Sequence, residues 1–305
     1  MKPEDASKLK QEIVNSIGKY YVGGSDIIEV MLENLISGGH ILLEGYQGLG
    51  KTTLAKLFSQ AIGADFKRIQ MTSDLLPSDI IGTSIWDPER REFKVREGPI
   101  FSNIVLIDEF NRAPPRTQSA LLEAMQEYQV TIDLNTIRLP DPFFVIATQV
   151  PYDTGGIFPL TITQIDRFSS KVLIGLPRKE EEMEVLRRVD MLNRPEVSPI
   201  IGKDSIIEMR EDLKKVRVSD EVLDYILEVI DGVRKESESK VSVRASMWML
   251  KLSRARAFLG GRDYVIPDDV KGVSYYVLRH RLMNQEVNPE AVIASVLKKV
   301  RVPKI

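Results

Sequence analysis

The sequence predicts an α/β fold: a doubly wound domain around a parallel sheet, followed by a smaller all-helical domain. Three observations predict it. Short apolar runs alternate with helical stretches between residues 41 and 174, the pattern of strands joined by crossover helices. One of those runs, Ile104 to Ile107, is apolar throughout, as a strand buried on both faces is. After Pro177 the strand signal fades and only helical periodicity remains.

The elements follow in order. Pro3 to Ile17 carries Leu9, Ile13, Val14 and Ile17 at helical spacing. Tyr20 to Gly24 breaks that helix. Ser25 is placed to cap a second helix over Asp26 to Ile36, which Gly38 and Gly39 end. Ile41 to Leu43 is the first strand, followed by a glycine-rich turn and a helix over Thr52 to Ile62. Phe66 to Met71 and Ile104 to Ile107 are the next strands, Thr117 to Tyr128 a helix, and Phe143 to Ala147 and Lys171 to Ile174 the last two strands. Two stretches interrupt the alternation: Ile85 to Val95, and Val130 to Leu139, a hairpin around Asp133 to Asn135. Helices are then predicted over Glu180–Leu192, Ser205–Val216, Asp220–Glu236, Arg244–Leu259, Asp268–Leu278 and Pro289–Lys299. The boundary falls near Leu176 to Arg178, giving an α/β core with an N-terminal helical linker over residues 1–177 and a helical domain over 178–305.

Composition narrows the function classes. Of 305 residues, 43% are hydrophobic and 28% charged, which is ordinary globular usage. The formal net charge of −2 supplies no general basic field for nucleic acid. The absence of cysteine excludes disulfides and thiolate metal sites, and two distant histidines, His40 and His280, do not suggest zinc. No apolar run is long enough for a membrane helix, and the first residues lack a signal-peptide core. A cytoplasmic protein is the expectation.

The chemistry begins at Gly45-Tyr-Gln-Gly-Leu-Gly50-Lys51-Thr52, which fits the spacing of a phosphate-binding loop between a strand and a helix. Glycines let backbone N–H groups converge on phosphate oxygens, and the helix N-terminus adds partial positive charge. Gly45, Gln47, Gly48, Leu49, Gly50, Lys51, Thr52 and Thr53 are therefore expected to bind ATP, with Lys51 on the β- and γ-phosphates and the Thr52 hydroxyl on Mg²⁺. The strand Ile104 to Ile107 ends in Asp108 and Glu109. Buried parallel strands deliver their C-terminal residues to the ligand crevice. Asp108 is expected to hold Mg²⁺ through water, and Glu109 to act as general base on the attacking water. Phe143 to Gln149 is another apolar strand with a polar end. Two readings of Arg167 stay open, an arginine finger or a local ion pair with Asp166. Arg244, at the start of a helix, is either a phosphate contact or a solvated cation.

Together these residues resemble the MoxR-type AAA+ ATPases. The resemblance covers nearly the whole chain and is most specific in the run from Asp108-Glu-Phe-Asn-Arg112 to Glu123-Ala-Met125. It continues through Thr72 to Gly82, Ala147-Thr-Gln149, Asp166-Arg-Phe168 and Gly261 to Val270. It implies an αβα ATPase core with a helical lid, and ring homo-oligomers, hexamers, with ATP between subunits. In the family pattern Arg167 reaches the neighbour's ATP, Arg244 serves as sensor 2, and Tyr20 and Tyr21, with Val22 just after them, either line the adenine pocket or form a hydrophobic hinge. Ile85 to Val95 and Val130 to Leu139 match family inserts. The resemblance further implies chaperone-like remodelling of a protein client, with a von Willebrand factor A domain protein as a frequent partner. Two positions depart from the pattern. Val150 stands where the sensor-1 asparagine is usual, so that either Gln149 or Thr148 substitutes, or hydrolysis is slow. Val243 replaces the proline before Arg244. Two alternatives accompany the remodelling ATPase: a nucleotide-gated module that barely hydrolyses, and a DNA motor. The small cluster Arg90, Arg91, Lys94 and Arg96 is all that supports the latter.

Overall fold

The structure is a computed structural model describing residues 1–133, 135–150, 155–192, 195–282 and 288–303. Among the described residues, nine strands form three sheets. They are β1 (Ile41–Glu44), β2 (Phe66–Gln70), β3 (Gly82–Asp87), β4 (Glu92–Glu97), β5 (Ile104–Asp108), β6 (Gln129–Ile132), β7 (Asn135–Arg138), β8 (Phe144–Gln149) and β9 (Ser170–Leu173). The central sheet has the order β2-β5-β8-β1-β9 with every pair parallel. Parallel pairing gathers all five C-terminal ends at one edge: Glu44 lies opposite Gln149 and Leu173, and Gln70 opposite Asp108.

Alternation along the strands makes two apolar layers. Ile41, Leu43, Ile104, Leu106, Phe144 and Ile146 face one side, where the helices Pro3–Gly18, Ser25–Ser37 and Lys51–Ala61 contribute Ile13, Ile28, Leu54 and Phe58. Leu42, Val105, Ile107, Val145 and Ala147 face the other, against Leu121 and Met125 of the helix Pro115–Glu127 and against Phe110 and Phe168. The helices after residue 177 add Met209, Tyr225, Val229, Leu252 and Val273 to the first layer. Secondary structure changes character at 177, yet the apolar core runs on across it. The first two helices are the reason, because they pack against both halves of the chain.

The elements differ from expectation in five places. The stretch Ile85 to Val95 lies in an antiparallel hairpin, β3 with β4, in which Trp86 sits opposite Phe93. Two short helices, Pro77–Ile81 and Ile162–Ile165, precede β3 and β9. The helix expected over Glu180 to Leu192 is two pieces, Lys179–Arg187 and Val189–Leu192. Ser25 is the first helical residue and not the cap, since its hydroxyl turns toward Asp26, 3.4 Å away. Among the described residues, no helix is long and apolar enough to cross a membrane.

Candidate nucleotide site

The glycine-rich turn follows β1 directly. Gly48 and Gly50 have φ of 83° and 70°, the left-handed region that suits glycine. A Cβ on Gly45 would stand 2.6 Å from the carbonyl oxygen of Ile174, so this position must be bare for the loop to pass β9. Lys51 opens the helix Lys51–Ala61 and is buried, with Nζ donating to the carbonyls of Gly45 and Tyr46 at 2.6 Å each. Burial lowers its ammonium pKa, and the charges of Asp108 and Glu109 oppose that shift. Thr52 and Thr53 continue the first turn of the helix. Tyr21 stands over Gly50 and donates its hydroxyl to the Leu49 carbonyl at 3.1 Å. Desolvation pushes that phenol up to about 12. Val22 lines a cleft of about 410 Å³ with Tyr21, Gly23, Gly24 and Arg188.

Asp108 and Glu109 meet this loop from β5. The Thr52 hydroxyl donates to Asp108 Oδ2 at 3.2 Å, and Thr148 donates to Oδ1 at 2.7 Å. Arg68 on β2 also holds Oδ2, through Nε at 3.0 Å and Nη2 at 2.7 Å. Glu109 has φ 58° and ψ 50°, an uncommon backbone for a residue with a side chain. Its N–H is held by the Thr148 hydroxyl at 2.9 Å. Its carboxylate accepts from Gln47 at 2.6 Å and Gln70 at 3.3 Å and pairs with Arg112 at 2.7 Å.

At the end of β8 the two polar residues part company. Thr148 shares the sheet face of Phe144 and Ile146 and reaches Asp108. Gln149 points to the opposite face, where it donates to Glu44, which also pairs with Lys171 at 2.9 Å. Val150 is buried, and its peptide is clasped by the Asn111 side chain, through O at 3.1 Å and N at 3.4 Å.

Arg167 and Arg244 lie elsewhere. Asp166 and Arg167 precede β9, and two residues further on Ser169 bonds to His40 just before β1. This is the N-terminal edge of the sheet, whereas Lys51, Asp108 and Thr148 occupy the C-terminal edge. Four residues of β1 separate the edges by about 13 Å. Arg167 does not pair with Asp166: its Nη1 donates to the Leu122 carbonyl at 3.1 Å and to Gln126. Asp166 instead takes Arg244 at 2.8 Å, Arg281 at 2.8 Å and both contacts of Ser242. Arg68 and Arg281 were not among the expected functional residues, and Thr148 stood only as an alternative to Gln149.

The residues present fit a nucleotide with Mg²⁺. A buried lysine, bare loop positions and a helix N-terminus suit phosphate, and an adjoining hydroxyl and carboxylate are the hard oxygen donors that Mg²⁺ takes.

Comparison with known proteins agrees. A family model described as "ATPase family associated with various cellular activities (AAA)" matches residues 40–170, and an AAA lid domain model matches 233–299. YeaC of Bacillus subtilis is 42% identical over 98% of this chain and 97% of its own length. Chaperone MoxR1 of Mycobacterium tuberculosis is 38% identical over 97% of this chain and 82% of its own. A crystal structure of an inferred ATPase from Cytophaga hutchinsonii superposes with a TM-score of 0.90 at 39% identity, covering 99% of this chain and 97% of that one. With core and lid both matched and such relatives spanning almost its full length, the chain belongs to the MoxR-type AAA+ ATPases.

Proposed function

We propose that this chain hydrolyses ATP in a ring whose active sites are completed between subunits, and that it uses the energy to remodel a protein partner. The observation that carries this reading is the placement of Arg167 and Arg244 at the far edge of the sheet from Lys51. Both stand across the sheet from the phosphate loop of their own chain, which suits cations that face the site of the next one. The local charge supports the same reading. Asp166 is shared by Arg244 and Arg281, which leaves Arg167 with no carboxylate partner among the described residues.

Each residue then has a task. The loop amides from Gly45 to Thr52 and the Lys51 ammonium bind the phosphates, and Tyr21 and Val22 flank the base. Thr52 and Asp108 would hold Mg²⁺, which would supply positive charge to offset that of the phosphates. Glu109 accepts a proton from the water that attacks the γ-phosphorus. Thr148 holds Asp108 and the Glu109 backbone in register. Gln149 buttresses β1 through Glu44. Arg167 and Arg244 of the neighbouring subunit meet the charge that grows in the transition state. The hairpin of β3 and β4 leaves Trp86 and Phe93 exposed, 49% and 72%, and offers an aromatic surface for a protein client. One relative bears the name chaperone, and a protein with a von Willebrand factor A domain is the partner class we propose.

The test is complementation. Lys51→Ala and Arg167→Ala subunits should each be inactive alone, because a finger contributes roughly 10³–10⁵ in rate. Co-assembled, they should release phosphate, since a Lys51→Ala subunit presents its Arg167 to a neighbour with an intact loop. Co-assembled mixtures as silent as their parents in single-turnover measurement would refute the reading. Repeating the measurement with DNA present checks the DNA-motor alternative, which requires stimulation.

A further inference from the structure

Arg281 is a buried cation with no place in the nucleotide pocket. It ends the short 3-10 turn Arg279–Arg281 after the helix Pro267–Leu278, and its side chain is 2% exposed. A guanidinium removed from water must be paired and fully hydrogen-bonded. Its bonds are concentrated on one short stretch. Nε donates to Asp166 Oδ1 at 2.8 Å, and Nη2 donates to the carbonyls of Asp166 at 3.2 Å and Phe168 at 2.9 Å. Nη1 donates to the carbonyl of Val277 in the preceding helix. One planar fork thus fastens the residues on both sides of Arg167 to the lid.

Asp166 is the other half of the device. Its Oδ1 accepts from Arg281 and from Ser242 at 3.1 Å, and its Oδ2 from Ser242 at 3.0 Å and Arg244 at 2.8 Å. The carboxylate is saturated by groups of the lid. Ser169 fixes the far end of the stretch through its bonds with His40. With Arg281 gone, Asp166 would lose one of its two cations and stand beside Arg167, free to draw that side chain inward. The cluster holds three arginines and one acid, so the identity of the partners of Asp166 decides which cation points outward.

We infer that Arg281 is a positioning residue for the site of the neighbouring subunit: by occupying Asp166 and pinning residues 166–168 to the lid, it fixes where Arg167 and Arg244 stand. The inference rests on the between-subunit reading above. It makes the lid and the finger one unit, so that movement of the helix Pro267–Leu278 moves the cations presented to the next chain.

Arg281→Lys keeps the charge and loses the fork, and Asp166→Asn keeps the shape and loses the charge. Each should bind ATP as the parent does, because its own loop is untouched. Each should lose about 10²-fold in single-turnover phosphate release, the cost of displacing a catalytic group by about 1 Å. In mixed rings both should recover activity with Lys51→Ala, which supplies an intact arginine face, and neither should recover it with Arg167→Ala, which lacks the same face. A global packing defect would not sort the variants in this way. The Lys51→Ala and Arg167→Ala mixture is the reference, and its silence would refute the between-subunit reading itself. With that reference active, recovery of Arg281→Lys by Arg167→Ala, or its failure with Lys51→Ala, would overturn the role of Arg281. Undiminished release from Arg281→Lys alone would do the same. Should Arg281→Lys not fold, Asp166→Asn carries the same comparison.

Discussion

Glu109 sits in a left-handed backbone that its own side chain disfavours, and the Thr148 hydroxyl holds it there. Strain of this kind costs roughly 1–3 kcal/mol and persists where the surroundings fix it. Glu109→Gln should keep ATP binding and stop turnover, because an amide keeps the shape but accepts no proton. Wild-type turnover would remove Glu109 from the mechanism. Thr148→Val should lower turnover while leaving ATP affinity unchanged, and Gln149→Ala should have the smaller effect. The reverse order would return the sensor role to Gln149. The loop and the acid pair were legible in the sequence because phosphate and Mg²⁺ chemistry demands those residue types at fixed spacing. The choice between Thr148 and Gln149 was not, since it depends on sheet register. Leu106 pairs with Ile146, and two residues on Asp108 and Thr148 share the same face. Arg68 gave no signal in its own segment, because β2 only becomes the neighbour of Asp108 once the strand order is set.

At the scale of elements, the base of the sheet is tied by His40. Its Nε2–H donates to the Met125 carbonyl at 2.9 Å, and Nδ1 accepts from Val145 N–H at 3.1 Å, which suits the neutral ring. Burial lowers its pKa from 6.5 to about 4. The unfolded chain takes up this proton near 6.5, while the native ring resists it until about 4, so stability is lost as pH falls through that window. Between pH 7 and pH 5 the wild type should lose about 2 kcal/mol that His40→Gln does not. Equal losses in denaturant titrations of both would show that the ring titrates normally. The sequence argued against a zinc ligand here, just before the first strand. It did not resolve the β3 and β4 hairpin, because both faces are largely exposed and no apolar alternation marks it. Nor did it show the short helices Pro77–Ile81 and Ile162–Ile165, which at five and four residues are too short for a periodic signal. The long strands and helices were legible because burial imposes their periods.

At the scale of the whole molecule, the proposed ring makes two surfaces of one chain complementary halves of an active site. One carries Lys51, Asp108 and Glu109 at the C-terminal edge of the sheet. The other carries Arg167 and Arg244 at the N-terminal edge, locked to the lid through Asp166 and Arg281. A continuous apolar core joins the lid to the first helices. The expectation of a ring came from family resemblance, whereas the separation of Lys51 from Arg167 and Arg244 needed the fold, because sequence distance does not reveal which sheet edge a residue occupies. The measurement that tests this most directly is phosphate release per subunit as the protein is diluted, with assembly followed by sedimentation. Release per subunit should fall to background where only single chains remain, while those chains still bind ATP. Single chains that hydrolyse ATP at the undiminished rate would contradict the account.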